Sequence, residues 1–240
     1  MTTTQPTLVC IPGLLCDHAS WEPLLDALDR DWNLVIPAQD AFDSLIEMAN
    51  HALGLFDGQA IVLGHSMGAR VALELYRLAP ERVAALGLFD TGVSPTTEAE
   101  LPKRQARVQL AYDEGMEALC QDWLPPMIAP IHQANQTLMM MLHDMVLRRT
   151  PESHARQIHA LIHRPDPSDL LPTIQCPTLV LVGREDRWSP VEQHAAIAAQ
   201  IPGSRLAVIE QAGHFAPAEQ PHRCADIILN WLRDAELLSN

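Results

Sequence analysis

One serine of this sequence stands at a spacing typical of nucleophilic hydroxyl groups, in the segment GHSMG at residues 64–68. A short apolar run at 60–63 precedes it, and a helical pattern follows. In a sharp strand-to-helix turn, the two glycines remove Cβ atoms that would clash, so the Oγ of Ser66 projects clear of the strand. A tight turn that merely contains a serine is the alternative interpretation.

A serine hydroxyl is a poor nucleophile until a base takes its proton. His214 follows the sixth apolar run of the chain, and Asp186 follows the fifth. The carboxyl ends of parallel strands share one edge of a sheet, so we expect Ser66, Asp186 and His214 to meet there. Asp90, at the end of the fourth run, is the alternative acid.

The elements that must position these residues alternate along the chain. Short apolar runs separated by amphipathic stretches predict an α/β fold, with a mostly parallel sheet of about six strands covered by helices on both faces. The predicted strands are residues 7–11, 33–36, 60–63, 83–89, 178–182 and 205–209. The predicted helices are residues 21–28, 42–56, 67–79, 191–201 and 222–238.

The alternation breaks once, between residues 94 and 172, where the sequence is helical in pattern and punctuated by proline. We therefore predict a core formed by residues 1–94 and 173–240, with residues 95–172 as a helical cap. A methionine cluster lies in this segment. We expect Met140 and Met141 to line the pocket, since thioethers adapt to varied apolar groups, although ordinary core packing is the alternative.

These motifs together resemble the α/β-hydrolase family, of the small esterase and lactonase type. The matching segments are IPGLL at 11–15, GHSMG at 64–68, PERV at 80–83, the G-x-x-D loop at 183–186 and AGHF at 212–215. The resemblance favours Asp186 over Asp90 as the acid. It also implies an oxyanion hole formed by the backbone N–H groups of Leu14 and Met67, with the cap as a variable insertion.

The sequence departs from the family pattern at three places. We expect no β-hairpin before the first strand, where the family often has one, and Pro12-Gly13 stands where His-Gly is frequent. The Gly-rich loop that usually follows the second strand is missing from residues 37–44. These departures affect the rim of the site and therefore the substrate, but not Ser66, Asp186 or His214.

Composition excludes several other function classes. The 240 residues carry a net charge of −14, so we expect neither nucleic acid nor an anionic membrane surface as a partner. The five cysteines are scattered, and the polar N-terminal residues 1–5 do not suggest a signal peptide, so we expect a cytoplasmic protein.

Other histidines give competing interpretations. His159 and His163 are spaced for one helix face, with His154 nearby, but the sequence offers no evident third metal ligand, so we expect no metal site. We expect His65 to pack beside the Ser66 turn, and the role of His18 is open.

The combined prediction is a serine hydrolase without a cofactor, acting on a carboxylic ester of a small, mainly apolar molecule. A lactonase, a carbon–carbon bond hydrolase, a cofactor-free perhydrolase and a hydroxynitrile lyase are alternatives on the same fold. A non-catalytic member that binds a small ligand is the alternative from a different class.

Overall fold

A computed structural model describes residues 6–238 of the chain. The six strands form one parallel sheet in the order β2-β1-β3-β4-β5-β6. The strands are β1 Thr7–Ile11, β2 Asn33–Val35, β3 Ala60–His65, β4 Val83–Phe89, β5 Thr178–Gly183 and β6 Arg205–Ile209. The predicted parallel sheet is confirmed. Strands β1 and β3–β5 are buried runs of apolar residues, as expected for a parallel sheet covered on both faces.

Helices cover both faces of the sheet. On one face α2 (Leu45–Leu53), α3 (Met67–Leu78) and α7 (Val191–Gln200) pack against the strands, and their buried residues form one apolar cluster. On the other face lie α1 (Glu22–Leu28) and α9 (Pro221–Asp234), with the short α8 (Ala216–Glu219) before α9. All strands are parallel, so the loops after β3, β5 and β6 open at the same edge.

Three further helices lie between β4 and β5, and we call them the cap helices. They are α4 (Leu101–Trp123), α5 (Gln136–Leu147) and α6 (Pro151–Ile162). Gly115 interrupts α4 with φ 88°. The side chains of α4 and α5 form a third apolar cluster, which also contains Leu15 and Phe215 from the loops after β1 and β6. The division into a core and a cap at residues 94 and 172 stays a prediction.

The cap helices are attached to the core by ion pairs as well as by apolar packing. Arg148 and Arg149, at the end of α5, both contact the carboxylate of Asp17 at 2.8 and 3.1 Å, and Arg149 also pairs with Asp40.

None of the helices within residues 6–238 has the length and apolar character that a membrane span requires. The expectation drawn from residues 1–5 lies outside the described residues.

Candidate active site

Ser66 stands between β3 and α3 in a backbone conformation that L-residues rarely adopt, with φ 54° and ψ −114°. Its N–H donates to the carbonyl of Phe89 at 2.9 Å, which ties the turn to the end of β4. A Cβ at Gly64 would overlap the backbone of Ala69, and one at Gly68 would overlap the end of β1. The turn therefore depends on both glycines, and its strain is maintained by the strands around it.

The structure brings the three predicted side chains together. His214 Nε2 lies 2.8 Å from Ser66 Oγ, and His214 Nδ1 lies 2.8 Å from Asp186 Oδ2. His214 and Asp186 are buried, whereas Ser66 is partly exposed. We call this arrangement the Ser66–His214–Asp186 triad. It can move a proton from the hydroxyl to the imidazole, while the carboxylate holds the ring.

Asp186 is held in an environment that keeps it ionised. Its Oδ1 accepts hydrogen bonds from the N–H groups of Trp188 and Ser189 at 2.8 and 2.9 Å. Burial raises the pKa of the Asp186 carboxyl, but His214 and these N–H donors outweigh burial and lower it below the ordinary value. The carboxylate can therefore stabilise a positive charge on His214.

Asp90 lies elsewhere in the same network. Its two carboxylate oxygens accept from the N–H groups of Gly183 and Ala216 at 2.9 and 3.2 Å, and no hydrogen bond joins it to His214 among residues 6–238. Asp90 is fully buried, and burial together with the negative charge of Asp186 raises its pKa well above the ordinary value. Its position links the end of β5 to the start of α8.

Two residues that the sequence did not single out support Ser66 from below. Thr91 Oγ1 donates to the Ser66 carbonyl at 2.9 Å, and the Thr91 N–H donates to His194 Nε2 at 2.7 Å. Burial lowers the pKa of His194 to about 4, so its ring is neutral and accepts at Nε2. The other ring nitrogen lies 3.1 Å from the carbonyl of Pro190. His194 thereby connects Thr91, which follows β4, to the loop that carries Asp186.

His65 packs beside the Ser66 turn. Its Nε2 lies 2.6 Å from the backbone carbonyl of His214. Burial, followed by the charge of His214, lowers the pKa of His65 to about 3, so the neutral ring donates this hydrogen bond. His18, by contrast, is exposed beside Glu22 at 3.3 Å and does not line the cavity next to Ser66.

Glu219 organises the loop around His214, and no motif in the sequence pointed to it. One carboxylate oxygen accepts from the residues on either side of His214 at 2.9 and 3.1 Å. The other accepts from the N–H of Ala129, between α4 and α5, at 2.8 Å. The N–H of His214 itself donates to Met127 at 2.7 Å. Burial raises the pKa of Glu219 despite these three donors.

Leu14 and Met67 both line the cavity beside Ser66. Among residues 6–238, no backbone acceptor is hydrogen-bonded to the N–H of Leu14. The next residue, Leu15, has φ 61°, and its N–H donates to the Oε1 of Gln157 on α6 at 2.9 Å. A buried glutamine of the cap helices therefore fixes the turn that carries Leu14.

A cavity of about 350 Å³ opens above Ser66, between the sheet edge and the cap helices. Its walls combine apolar side chains, such as Trp123 and Ile158, with charged ones. The charged side chains are Arg70, Glu100, Lys103, Arg104, Arg107 and Arg164. The cavity is therefore much more basic than the sequence suggested.

The structure does not bring Met140 and Met141 to Ser66, which corrects the expected pocket lining. Met140 is 63% exposed and lines a separate surface depression. Met141 is partly buried against the cluster formed by α4 and α5 and does not line the cavity either. The buried stripe of α5 is Leu138, Leu142, Met145 and Val146. Consecutive methionines point in different directions on a helix, and the sequence did not reveal the direction of each side chain.

The histidines considered as metal ligands do not form a complete set. His159 and His163 stack with ring centroids 4.1 Å apart, and His159 Nδ1 contacts the carbonyl of Asp43. Residues 6–238 contain no group of three or more His, Cys, Asp or Glu side chains that could hold a metal ion. His154, on the same helix, lines the cavity instead.

A family model described as the alpha/beta hydrolase family matches residues 8–227. A thermophilic esterase from Thermogutta terrifontis, solved with malate bound, is 30% identical, with a TM-score of 0.87 over 97% of this chain and 91% of that one. The enol-lactonase from Burkholderia xenovorans LB400 has a TM-score of 0.85 over 96% and 92% of the two chains. At 22% identity, it supports the fold alone.

Among relatives by sequence is a protein of Stutzerimonas stutzeri (strain A1501) whose name proposes a carbamate hydrolase, RutD. It is 26% identical over 98% of this chain and 94% of its own length.

Proposed function

The chain belongs to the alpha/beta hydrolase family, and on that premise we propose that it is a serine hydrolase that cleaves a carboxylic ester through an acyl-enzyme. The Ser66–His214–Asp186 triad carries this proposal, since it joins a nucleophile, a base and an orienting acid through two contacts of 2.8 Å each. The strained backbone at Ser66 adds support, because strain of this kind is typical of functional sites.

In the proposed reaction, Ser66 Oγ attacks the ester carbonyl while His214 Nε2 takes the hydroxyl proton. The imidazolium then gives this proton to the leaving alcohol, which departs and leaves an acyl group on Ser66. A water molecule, deprotonated by His214, then attacks the acyl carbonyl. The bond to Ser66 Oγ breaks, the imidazolium returns the proton to this oxygen, and the acid is released. Asp186 holds the imidazole through Nδ1 and offsets its positive charge throughout. All of these steps use protein groups and water, with no metal or organic cofactor.

The oxyanion that forms in each half-reaction needs hydrogen-bond donors. We assign these to the backbone N–H groups of Leu14 and Met67. Met67 begins α3, and the free N–H groups and dipole at a helix start favour a negative charge. The Leu14 N–H has no backbone acceptor within residues 6–238. Each such donor lowers the barrier by roughly 3 kcal/mol in related chemistry.

The same groups could open a lactone, hydrolyse a carbamate or cleave an activated carbon–carbon bond. The name of the RutD relative suggests the carbamate, and the enol-lactonase resembles the chain in fold. A non-catalytic ligand-binding role would require neither the strain at Ser66 nor an ionised acid behind His214. The basic cavity walls remove the reason for expecting a mainly apolar substrate.

Covalent labelling together with a substrate panel tests the proposal. A fluorophosphonate should label the protein once, on Ser66, as located by peptide mass spectrometry, and p-nitrophenyl acetate should be hydrolysed. Ser66→Ala should abolish both signals. Ser204→Ala should abolish neither, because Ser204 lies after α7 and bonds to Ala198. Labelling elsewhere, or full activity of Ser66→Ala, would contradict the proposal. Lactones, carbamates and dienone acids in the panel then rank the bond types.

A further inference from the structure

The basic wall of the cavity stands out in an acidic chain. Five cationic side chains line the space above Ser66, accompanied by a single carboxylate, that of Glu100. The whole chain carries a net charge of −14. Enclosed clefts lined by one sign of charge concentrate ligands of the opposite sign.

Three of these five cations are already paired with carboxylates. Arg104 and Arg164 share the carboxylate of Glu100 at 3.0 and 2.9 Å. Arg107 pairs with Asp122 at 2.7 Å and lies over the ring of Trp188. These pairs hold the cap helices together and shape the wall.

Arg70 and Lys103 have no carboxylate partner within residues 6–238, and Arg70 differs from Lys103 because Lys103 is exposed to solvent. The hydrogen bond of Arg70 goes to the carbonyl of Ser94 at 3.3 Å. It is partly buried, and burial, followed by the charges of Arg164 and Arg104, lowers the pKa of Arg70 to about 9. The guanidinium therefore still carries its charge at neutral pH, in a place where that charge is poorly compensated.

Arg70 lies close to the nucleophile along the chain and lines the same cavity. Ser66 precedes α3, Arg70 lies in the first turn of that helix, and both border the space above Ser66. A molecule with its carbonyl at Ser66 and an acidic group a few bonds away could therefore reach both.

A second unpartnered group lies in the same wall. His154 of α6 is fully buried and lines the cavity, and neither of its ring nitrogens has a hydrogen-bond partner within the described residues. Burial, followed by the charge of Arg107, lowers the pKa of His154 to about 4. The neutral ring has one N–H to donate, and a buried polar group without a partner is costly unless a ligand satisfies it.

We propose that this cavity binds an ester that also bears a free carboxylate, with Arg70 pairing with that carboxylate and His154 donating a hydrogen bond to the same molecule. The inference rests on the proposed function, since it takes the ester carbonyl to lie at Ser66. Arg70 is a binding residue here, because it anchors the substrate at a distance from the bond that breaks. Carboxylate recognition by arginine gains from two parallel N–H···O bonds.

Matched pairs of esters test the charge. Monomethyl adipate carries the carboxylate on the acyl side, and 4-acetoxybutyrate carries it on the alcohol side. The corresponding primary amides have nearly the same shape without the charge. We expect kcat/KM to favour the carboxylate over its amide by roughly 10- to 100-fold in at least one pair, the range for a hydrogen bond to a charged partner. A ratio of one or less in both pairs overturns the proposal.

The variant Arg70→Met should bring the preferred ratio down at least tenfold. The matched control is Arg205→Met, because Arg205 lies on β6 with its partner Asp234 and is outside the cavity lining. It should leave the ratio as it is. A ratio that survives in Arg70→Met, or falls equally in Arg205→Met, overturns the role of Arg70.

A binding measurement separates this inference from the proposed chemistry. Calorimetry on Ser66→Ala with both ester pairs reports recognition without turnover. Tighter binding of the carboxylate in at least one pair supports the inference even when the unmodified protein hydrolyses no ester, an outcome that would count against the proposed function alone. Equal binding within both pairs counts against the inference, whatever the activity.

Discussion

Two regions of the molecule meet at the cavity, and they supply their residues in different ways. The loops at the sheet edge provide Ser66, Asp186 and His214, whose side chains bond to one another and to backbone N–H groups. The cap helices provide arginines and a histidine that project from helix faces. In the loops, backbone geometry fixes each side chain. In the cap region, ion pairs within the wall hold the arginines, and burial alone holds His154.

This difference separates two kinds of effect. A change in the sheet-edge loops should act on the chemical step, because the groups there are arranged around one hydroxyl. A change in the cap helices should act on which molecule is held, or on stability. Gln157 is one exception, since it belongs to a cap helix but bonds to the turn of Leu14 and Leu15. Arg70 is the other, since it lies on α3 of the core but is proposed to hold the substrate.

The largest effect is expected at the sheet edge. Ser66→Ala should lower kcat by a factor on the order of 10⁴ or more, because the nucleophile is lost. The double variant with His214→Ala should be little slower than either single variant, since the two residues act as a unit. Steady-state kinetics on the best ester of the panel measures this. Losses that multiply would show that the two residues act separately.

The second-largest effect on kcat should distinguish the two buried aspartates of the core. Asp186→Asn should reduce kcat by roughly 10³- to 10⁴-fold, because the amide no longer balances charge on His214 and favours the wrong tautomer. Asp90→Asn should change kcat by less than about tenfold, since Asp90 bonds to Gly183 and Ala216 rather than to His214. Circular dichroism at the assay temperature checks that both variants are folded. The opposite ranking would make Asp90 the acid.

Gln157 tests whether a cap residue can reach the chemistry. Gln157→Leu leaves the buried N–H of Leu15 without its acceptor, so the turn carrying Leu14 should shift. We expect kcat to fall about tenfold with little change in KM, because an oxyanion donor acts mainly in the transition state. The matched control is Gln105→Leu, on the exposed side of α4. A rise in KM alone would assign Gln157 to substrate binding.

His154 should affect stability more than rate on a neutral ester. The pKa of His154 is lowered to about 4 in the folded chain, against roughly 6.5 for free histidine. Between these values the unfolded chain binds a proton that the folded chain does not, so this residue makes the protein less stable as pH falls from about 6.5 to about 4.

The variant His154→Leu removes the imidazole that binds this proton in the unfolded chain. Its free energy of unfolding should therefore depend less steeply on pH in this window, by up to about 1.4 kcal/mol per pH unit. Urea unfolding at pH 7, 6 and 5 measures the slope, and the difference at pH 8 reports the change in packing alone. Parallel curves for the two proteins would show that His154 takes up a proton in the folded state.

The smallest effect belongs to the methionine cluster. Met140→Ala should change kcat/KM by less than about twofold for every ester from acetate to octanoate, because Met140 is exposed and away from the cavity. Ile158→Ala, in the wall itself, should change the profile across this series. A shifted chain-length preference in Met140→Ala would return this residue to the pocket.

Sequence reasoning could place side chains whose positions depend on local backbone geometry. The turn at Ser66 needs glycines at two fixed positions, and the strand ends carry Asp186 and His214, so the spacing predicted that these residues meet. The resemblance to the family was needed to choose Asp186 over Asp90. Thr91, His194 and Glu219 were missed because their roles depend on contacts between segments far apart in the chain. The position of Arg70 could have been noticed, since it lies in the first turn of the helix that follows Ser66.

Glu219 has a consequence for transplanting parts of this protein. Its carboxylate joins the loop of His214 to the connection between α4 and α5. The cap helices therefore cannot be exchanged without affecting the loop that carries His214. A chimera that receives foreign helices between β4 and β5 should lose the support of the His214 loop. Swaps that carry residues 127–129 along with the new helices should keep it.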